Sequence, residues 1–134
     1  MLLLLFFLDF QRPGMQLTFT NLQEARGQLY VAVYDSEQDF LQTDKILAKS
    51  ITAVRQAGSM DIYLPDLKAG KYAVSCFHDL NNNGKLDTNL FGIPTEPYGF
   101  SNNARPRFRA PSWKEAKFEW QEGNKVASIR LEKW

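Results

Sequence analysis

GQLYVAVYDS, residues 27–36, is the stretch that decides the fold. Apolar side chains occupy every second position from Leu29 to Val33, which is the period of a β-strand rather than of a helix. The alternate positions, from Tyr30 to Tyr34, are also apolar or aromatic, so we expect both faces of this strand to be covered. A strand covered on both faces belongs inside a sheet, and the stretch therefore predicts a central strand.

The two-residue period recurs along the rest of the chain. Strands are predicted at QLTFTNL (16–22), ILAKSITAV (46–54), SMDIYLPDL (59–67), GKYAVSCFHD (70–79), KFEW (117–120) and KVASIRLEKW (125–134). The short connection QAG (56–58) is suited to a hairpin between two of them. Helix is scarce, because SWKEA (112–116) has a Ser-x-x-Glu capping box but room for only about one or two turns.

These patterns predict an all-β protein. About seven short strands, without a helix long enough for a parallel crossover, favour two antiparallel sheets packed face to face. An immunoglobulin-like or transthyretin-like β-sandwich is the predicted fold, and a closed barrel is the alternative. One long connection interrupts the pattern, since the segment 89–111 holds four of the six prolines and shows no strand periodicity. Connections of that length often carry function.

Composition limits the number of domains and the class of partner. A chain of 134 residues, 44% of them hydrophobic, can bury a substantial core, and residues 15–134 are predicted to form one domain. The formal net charge is only +1, so no overall field attracts nucleic acid or an anionic membrane, and any charged partner must be bound by a local patch. Cys76 is the only cysteine, which excludes an internal disulfide and a multi-cysteine metal site.

The N-terminal run MLLLLFFL is apolar and ends at Asp9. It is much shorter than the roughly 20 residues that a membrane-spanning helix needs. It also lacks the basic start and the small-residue cleavage site that are typical of a secretory signal. Residues 1–14 are therefore interpreted as an atypical or truncated signal segment, and a buried edge segment of the domain is the alternative.

A polar loop follows the predicted strand 70–79. Read from Asp79, the sequence DLNNNGKLD fits the first nine positions of a calcium-binding loop, with side-chain oxygens at alternate residues and a glycine for the sharp turn. Leu90 stands at the twelfth position, where an EF-hand has glutamate, so an EF-hand is excluded. A turn stabilised by its own Asn and Asp side chains is the alternative. The candidate calcium ligands are Asp79, Asn81, Asn83, the carbonyl of Lys85, and Asp87, with Glu96, Asn89 or water completing the set.

Two side chains on the predicted strand 70–79 form a candidate catalytic pair. Cys76 and His78 are two residues apart, so their side chains share a face, as a nucleophile and its base require. A cysteine within an apolar alternation is more often part of the core. We therefore do not expect catalysis from this pair.

The stretch PYGFSNNARPRFRAPSWK (97–114) interleaves aromatic and basic residues. Such side chains stack on and pair with anionic partners, although aromatic residues in a proline-rich loop also anchor the loop to its sheet. The candidate partner surface consists of Tyr98, Phe100, Arg105, Arg107 and Trp113.

Three stretches together resemble a known bacterial family. HDLNNNGKLDTNLFGIPTEPYGFSNNARPRF (78–108) and APSWKEAKF (110–118) resemble the family of domain of unknown function 2141, and GQLYVAVYDSEQDFL (27–41) is similar to its second strand and the following turn. The resemblance extends from about Met15 to Trp134. The chain departs from the family at its start, where members carry a longer signal peptide, and at Arg109, where a small residue is usual.

The resemblance implies a small exported protein of Gram-negative bacteria with a β-sandwich fold. No activity is established for that family, so the resemblance supplies no catalytic residues. We expect a non-catalytic binding or structural module, periplasmic or secreted, with calcium as its one candidate cofactor. The expected partner is a protein or glycan at the cell envelope, and a small-ligand carrier or a hydrolase using Cys76 and His78 is the alternative.

Overall fold

A computed structural model describes residues 14–134, which consist mainly of β-strands and loops. The strands are β1 (Gly14–Leu22), β2 (Gln28–Tyr34), β3 (Ala48–Ala53), β4 (Gly58–Pro65), β5 (Gly70–Asp79), β6 (Tyr98–Phe100), β7 (Phe118–Trp120) and β8 (Ile129–Arg130). Within the described residues, helix is limited to α1 (Trp113–Ala116) and a 3₁₀ turn (Ser101–Asn103). The predicted signal segment, residues 1–14, lies outside the described residues except for Gly14, which begins β1.

The strands form two sheets that pack on each other. One sheet has the order β4–β1–β8, and the other has the order β3–β2–β5–β6, with β7 paired to the start of β5. Strand β2 lies between β3 and β5, which confirms the predicted central strand. The two-sheet β-sandwich is thereby confirmed, and its immunoglobulin-like or transthyretin-like variant stays a prediction.

Alternating side chains from both sheets fill the space between them. In β1, Met15, Leu17 and Phe19 are fully buried, while the residues between them face outward, as the two-residue period requires. Leu29 and Val33 of β2 approach from the opposite sheet and belong to the same apolar cluster. A second, smaller cluster covers the outer face of the five-stranded sheet and includes Tyr34, Phe40, Ala73, Ala116 and Trp113. The main cluster covers one face of β2 and the smaller cluster covers part of the other face.

The predicted hairpin at residues 56–58 is wrong, because β3 and β4 lie in different sheets. Val54 is buried in the main cluster, and its backbone N–H donates to the Gly27 carbonyl at 3.0 Å. The chain is therefore turned inward directly after β3 and crosses to the other sheet. A short connection limits the distance between two strands and does not decide which strand each one pairs with.

Two strands differ from the sequence prediction. Strand β6 lies in the segment 89–111, for which no strand was predicted, and pairs antiparallel with Ser75–Phe77 of β5. Three residues are too few to display a two-residue period. The predicted strand 125–134 shortens to β8, which runs parallel to β1 through Phe19 opposite Ile129. The pairing can be parallel because the segment before β8 crosses over from β7, which belongs to the other sheet.

The capping box predicted at the start of α1 is present. The Ser112 hydroxyl accepts a hydrogen bond from the Glu115 backbone N–H at 3.3 Å, and the Glu115 carboxylate accepts one from the Ser112 N–H at 3.0 Å. Hydrogen bonds from Arg109 and then from Ser112 lower the pKa of Glu115 to about 2. Within residues 14–134, no helix has the length and apolar character needed to cross a membrane.

Candidate functional site

The polar loop after β5 is built on a buried carboxylate. Asp79, the last residue of β5, is fully buried and accepts hydrogen bonds from the backbone N–H groups of Asn83 at 3.2 Å and Gly84 at 2.8 Å. Gly84 has a φ of +79° and Asn82 a φ of +57°, the left-handed region that Gly and Asn adopt most readily. The chain therefore turns tightly around the Asp79 side chain.

A second carboxylate closes the outer side of this loop. Asp87 accepts hydrogen bonds from the side-chain amides of Asn81 at 2.7 Å and Asn83 at 2.6 Å. These bonds, first that from Asn83 and then that from Asn81, lower the pKa of Asp87. The structure thus joins the side chains of Asn81, Asn83 and Asp87, while Asp79 reaches the same loop through backbone N–H groups. The fifth candidate, Lys85, is exposed and donates its backbone N–H to the Asn83 side-chain oxygen at 3.2 Å.

Glu96 holds the base of the loop. Its carboxylate is 4% exposed and accepts backbone N–H groups from Leu80 at 2.7 Å and from Asp87 at 2.9 Å. The loop therefore begins and ends on the same side chain. Sequence reasoning named Glu96 only as a possible calcium ligand, and its role as a backbone acceptor has no signature in the sequence.

The atoms of this loop are of the type that binds calcium, but the side-chain amides are not all oriented to bind it. Two carboxylates and two amide side chains offer the oxygen atoms that calcium prefers. The amide nitrogens of Asn81 and Asn83 face Asp87, so both amides must rotate before their oxygens can join Asp87 around a cation. The described residues contain no group of three or more His, Cys, Asp or Glu side chains placed to hold a metal ion.

The candidate catalytic pair lies inside the fold. The Cys76 thiol is buried and donates to the Gly99 carbonyl at 3.5 Å, and burial raises the pKa of the thiol. The imidazole Nε2 of His78 is hydrogen bonded at 2.6 Å to the Arg26 carbonyl. A reactive cysteine needs an accessible thiolate with a lowered pKa, so this arrangement offers no support for a hydrolase.

The five residues predicted as a partner surface divide between two places. Trp113 packs edge-on against Phe40, with ring centroids 6.0 Å apart, in the smaller apolar cluster. Phe100 also packs against that cluster, so neither side chain is available as a separate surface. Arg105 lies 4.1 Å over the ring of Tyr98 and donates to the carbonyls of Tyr98 and Glu132. Arg105 therefore fastens the end of the chain to β6.

An open groove of about 350 Å³ lies beside Arg105 and Tyr98. We call it the aromatic groove, and it is lined by Tyr98, Arg105, Pro106, Arg107, Phe108, Lys133 and Trp134. The rings of Phe108 and Trp134 are 5.7 Å apart and largely exposed. Sequence reasoning missed Lys133 and Trp134, because that part of the chain was predicted to be a strand. The neighbouring Lys133 and Trp134 near the end of the sequence could have been recognised as a basic and aromatic pair of the same type as that in residues 97–114.

The space between the sheets does not form a carrier cavity of the predicted kind. Side chains of the main cluster, including the fully buried Phe19, Leu29 and Ile129, occupy it. A larger groove, of about 1080 Å³, lies on the outer face of the three-stranded sheet and is lined mainly by polar residues such as Gln16, Thr18 and Asp61. Among the described residues, the side chains of the main cluster therefore fill the place that an apolar ligand would need.

Comparison with known proteins identifies a family for the chain. The model of domain of unknown function 2141, described as an uncharacterized protein conserved in bacteria, matches residues 17–128. No curated protein and no solved structure gives a match. The match covers all of the sandwich except its two margins, including the polar loop and Glu96. The chain therefore belongs to the bacterial family of domain of unknown function 2141.

Proposed function

We propose that the protein is an exported, non-catalytic binding module that takes an acidic glycan of the cell envelope in the aromatic groove. The observation that carries the proposal is the pairing of exposed aromatic rings with unpaired cations. Phe108 and Trp134 offer flat faces on which a sugar ring can stack. Arg107 and Lys133 are exposed, and no acidic partner lies against them among residues 14–134.

One side of the aromatic groove is also ordered before any ligand binds. The Arg105 guanidinium is held over Tyr98 and bonded to two backbone carbonyls, so it orders the groove and contributes positive charge to it. A ligand that meets a preorganised groove loses less conformational entropy on binding. Catalysis is not part of the proposal, because the thiol of Cys76 is enclosed by the core. Export rests on what the family resemblance implies, and fractionation of the producing cells tests it.

The groove is tested by titration with an oligosaccharide of uronic acids, followed by tryptophan fluorescence. We expect saturable binding that weakens by roughly 10- to 100-fold in R107Q/K133Q, since charge-assisted hydrogen bonds to a carboxylate are lost. K49Q/K125Q is the matched control, because it removes the same charge elsewhere and should bind as the native protein does. Equal binding by the native protein and R107Q/K133Q, or no preference over a neutral oligosaccharide, contradicts the proposal.

A second proposal is that calcium orders the polar loop after β5. Its support is the hydrogen-bonded ring of Asn81, Asn83 and Asp87, to which Asp79 is attached through the backbone N–H of Asn83. A bound cation would take carboxylate and amide oxygens of these residues as ligands and would fix the segment that follows. Two carboxylates predict weak affinity, with a Kd on the order of 0.1 to 1 mM.

Thermal melting with and without calcium tests this second proposal. A tenfold excess of calcium over its Kd stabilises the folded state by about 1.4 kcal/mol, which raises the Tm by a few degrees. D87N should remove the effect, while D44N, an exposed acid elsewhere, should keep it. Asp79→Ala is a poor probe, because Asp79 holds the N–H groups of Asn83 and Gly84 whether or not calcium binds. A Tm that does not respond to calcium shows the loop to be a polar turn.

A further inference from the structure

The most exposed apolar side chains of the described residues lie together at the tip of one projection. Leu90 and Phe91 have exposed fractions of 101% and 87%, respectively. They occupy the tip of residues 88–95, with the sequence TNLFGIPT, which we call the apolar finger. The apolar finger contains no charged residue. Exposure of two neighbouring large apolar side chains costs free energy in water and marks a surface that meets a partner.

The apolar finger is held in shape by its own hydrogen bonds. The Asn89 side-chain oxygen accepts the backbone N–H groups of Phe91 at 2.8 Å and Ile93 at 3.1 Å. The Asn89 N–H donates to the Ile93 carbonyl at 2.9 Å, and the Gly92 N–H donates to the Asn89 carbonyl at 3.0 Å. Satisfied backbone groups are what an apolar environment requires, since an unpaired N–H in hydrocarbon is costly. The N–H groups of Asn89, Phe91, Gly92 and Ile93 are satisfied in this way, which lowers the cost of moving this part of the apolar finger into such an environment.

The shape of the apolar finger favours a bilayer over a protein. Leu90 and Phe91 project into solvent and line none of the grooves described above. A protein partner must supply a pocket that surrounds both side chains. The interface of a bilayer surrounds any projecting apolar group without a preformed pocket, and binding strength grows with the buried apolar area.

Charge and further aromatic residues at the same end of the sandwich complete the surface. The apolar finger leaves the sandwich between the end of β5 and the start of β6, and Tyr98 of β6 pairs with Glu132. Lys133 and Trp134 follow directly, so the aromatic groove lies at that end as well. Two exposed cations, Arg107 and Lys133, have no acidic partner among the described residues, whereas Lys85 interacts with the Asp87 carboxylate.

The acidic groups at this end are largely engaged. Asp79 and Glu96 are buried and accept backbone N–H groups, and Glu132 pairs with Arg105 and Arg130. Asp87 is bonded by two amides, and Glu24 pairs with Arg26. Arg107 and Lys133 are therefore the cations at this end that have no ion-pair partner among residues 14–134, and they attract anionic headgroups over about a Debye length.

We propose that this end of the sandwich docks on an anionic phospholipid bilayer, with Leu90 and Phe91 inserted at the interface between headgroups and acyl chains. Basic side chains then lie at the level of the headgroups. The proposal goes beyond glycan binding and does not depend on what occupies the aromatic groove.

Vesicle flotation tests the docking. The native protein, in buffer with EDTA, is expected to float with vesicles of phosphatidylethanolamine and phosphatidylglycerol, and less with vesicles of phosphatidylcholine. L90S/F91S should weaken the association by roughly 30-fold or more, because two apolar side chains lose their burial. L47S/I51S is the matched control, since Leu47 and Ile51 are 48% and 47% exposed but lie on another part of the surface. All three proteins should melt at the same temperature.

A probe on the apolar finger shows which surface inserts. Cys76 is the only cysteine and is buried, so a dye attached to F91C in the folded protein reports on position 91 alone. Vesicles should shift the emission of an environment-sensitive dye to shorter wavelength at F91C and leave it unchanged at I51C. Absence of vesicle binding by the native protein, or a shift only at I51C, overturns the proposal. A dimer in solution that L90S/F91S converts to a monomer, without vesicle binding, assigns the apolar finger to a second copy and overturns it too.

Discussion

The sandwich and the excursion between β5 and β6, residues 80–97, are ordered by different interactions. Between the sheets, apolar side chains such as Phe19 and Leu29 are removed from water and pack against each other. In the excursion, the chain is shaped by the oxygens of three side chains, Asp79, Asn89 and Glu96, which accept backbone N–H groups. The excursion therefore needs few apolar contacts of its own.

This difference explains why the excursion can display apolar side chains instead of burying them. Leu90 and Phe91 contribute nothing to the core, and their exposure leaves the loop geometry intact because that geometry depends on Asn89. The core tolerates exchange among apolar residues of similar volume, whereas a hydrogen-bonded loop depends on the identity of particular oxygens. A binding surface of this kind can change without destabilising the fold beneath it.

Substitution of Phe19 by Ala should have the largest effect on stability. The side chain is fully buried between the sheets, so its removal is expected to lower the free energy of unfolding by about 3 to 5 kcal/mol. Urea denaturation measures the change, and Phe19→Leu, which retains most of the volume, should cost less than about 1.5 kcal/mol. A loss below about 1 kcal/mol for Phe19→Ala would mean that apolar packing does not dominate the sandwich.

Substitution of Glu96 by Ala should be the largest single disruption of the excursion. Two partly buried N–H groups, of Leu80 and Asp87, lose their acceptor, which costs about 2 to 4 kcal/mol in total. Hydrogen exchange should accelerate at both amides and stay slow in β2 and β5. Glu96→Gln keeps one carbonyl oxygen and should have a smaller effect. Equal acceleration across the sheets would show that the excursion and the sandwich unfold together.

Loss of the cap on α1 should have a moderate effect. Ser112→Ala removes the side-chain acceptor for the Glu115 N–H and is expected to cost about 1 kcal/mol. Chemical denaturation measures the difference, and Ser112→Asp, which retains an acceptor oxygen, should recover most of it. Unchanged stability in Ser112→Ala would mean that the Glu115 side chain alone orders this turn.

Titration of Asp87 should have the smallest effect. Hydrogen bonds from Asn83 and then Asn81 lower the pKa of Asp87 below its ordinary value of 3.8. Because the folded-state pKa is the lower one, the stabilising contribution is present above pH 3.8 and is lost as the pH falls through the folded-state pKa. NMR titration of the Asp87 carboxyl group measures this pKa directly. Asn83→Ala should return the pKa toward 3.8, and a pKa that does not move would exclude the amide contacts as its cause.

Much of the sandwich was predictable, because a strand that is buried on one face has apolar side chains at alternate residues. GQLYVAVYDS identified a central strand, and the spacing of Ser112 and Glu115 identified a capping box. Pairing partners were not predictable in the same way. The two-residue period indicates which side chains face inward, but it does not indicate which strands are neighbours. A hairpin between β3 and β4 was therefore wrongly predicted.

The candidate site was predictable where it is local in sequence. Asn81, Asn83 and Asp87, which are close in sequence, are joined by side-chain hydrogen bonds, and a metal site at these residues stays a prediction. Their spacing did not indicate that amide nitrogens, not oxygens, face Asp87, because that orientation depends on hydrogen bonds formed only in the folded loop. The aromatic groove joins Phe108 to Trp134, which are distant in sequence, and no pattern of spacing connects them.

The parallel pairing of β8 with β1 has a consequence for how the chain is made. The Asn21 side chain donates to the Leu131 carbonyl at 2.7 Å, across a separation of 110 residues. Contacts between such distant residues form late and slow the folding of a domain. The ribosome releases β1 long before Ile129 exists, so one edge of β1 has no strand beside it while most of the protein is synthesised. An unpaired edge of this kind can template pairing with another chain, so the edge of β1 is a site of aggregation until β8 arrives.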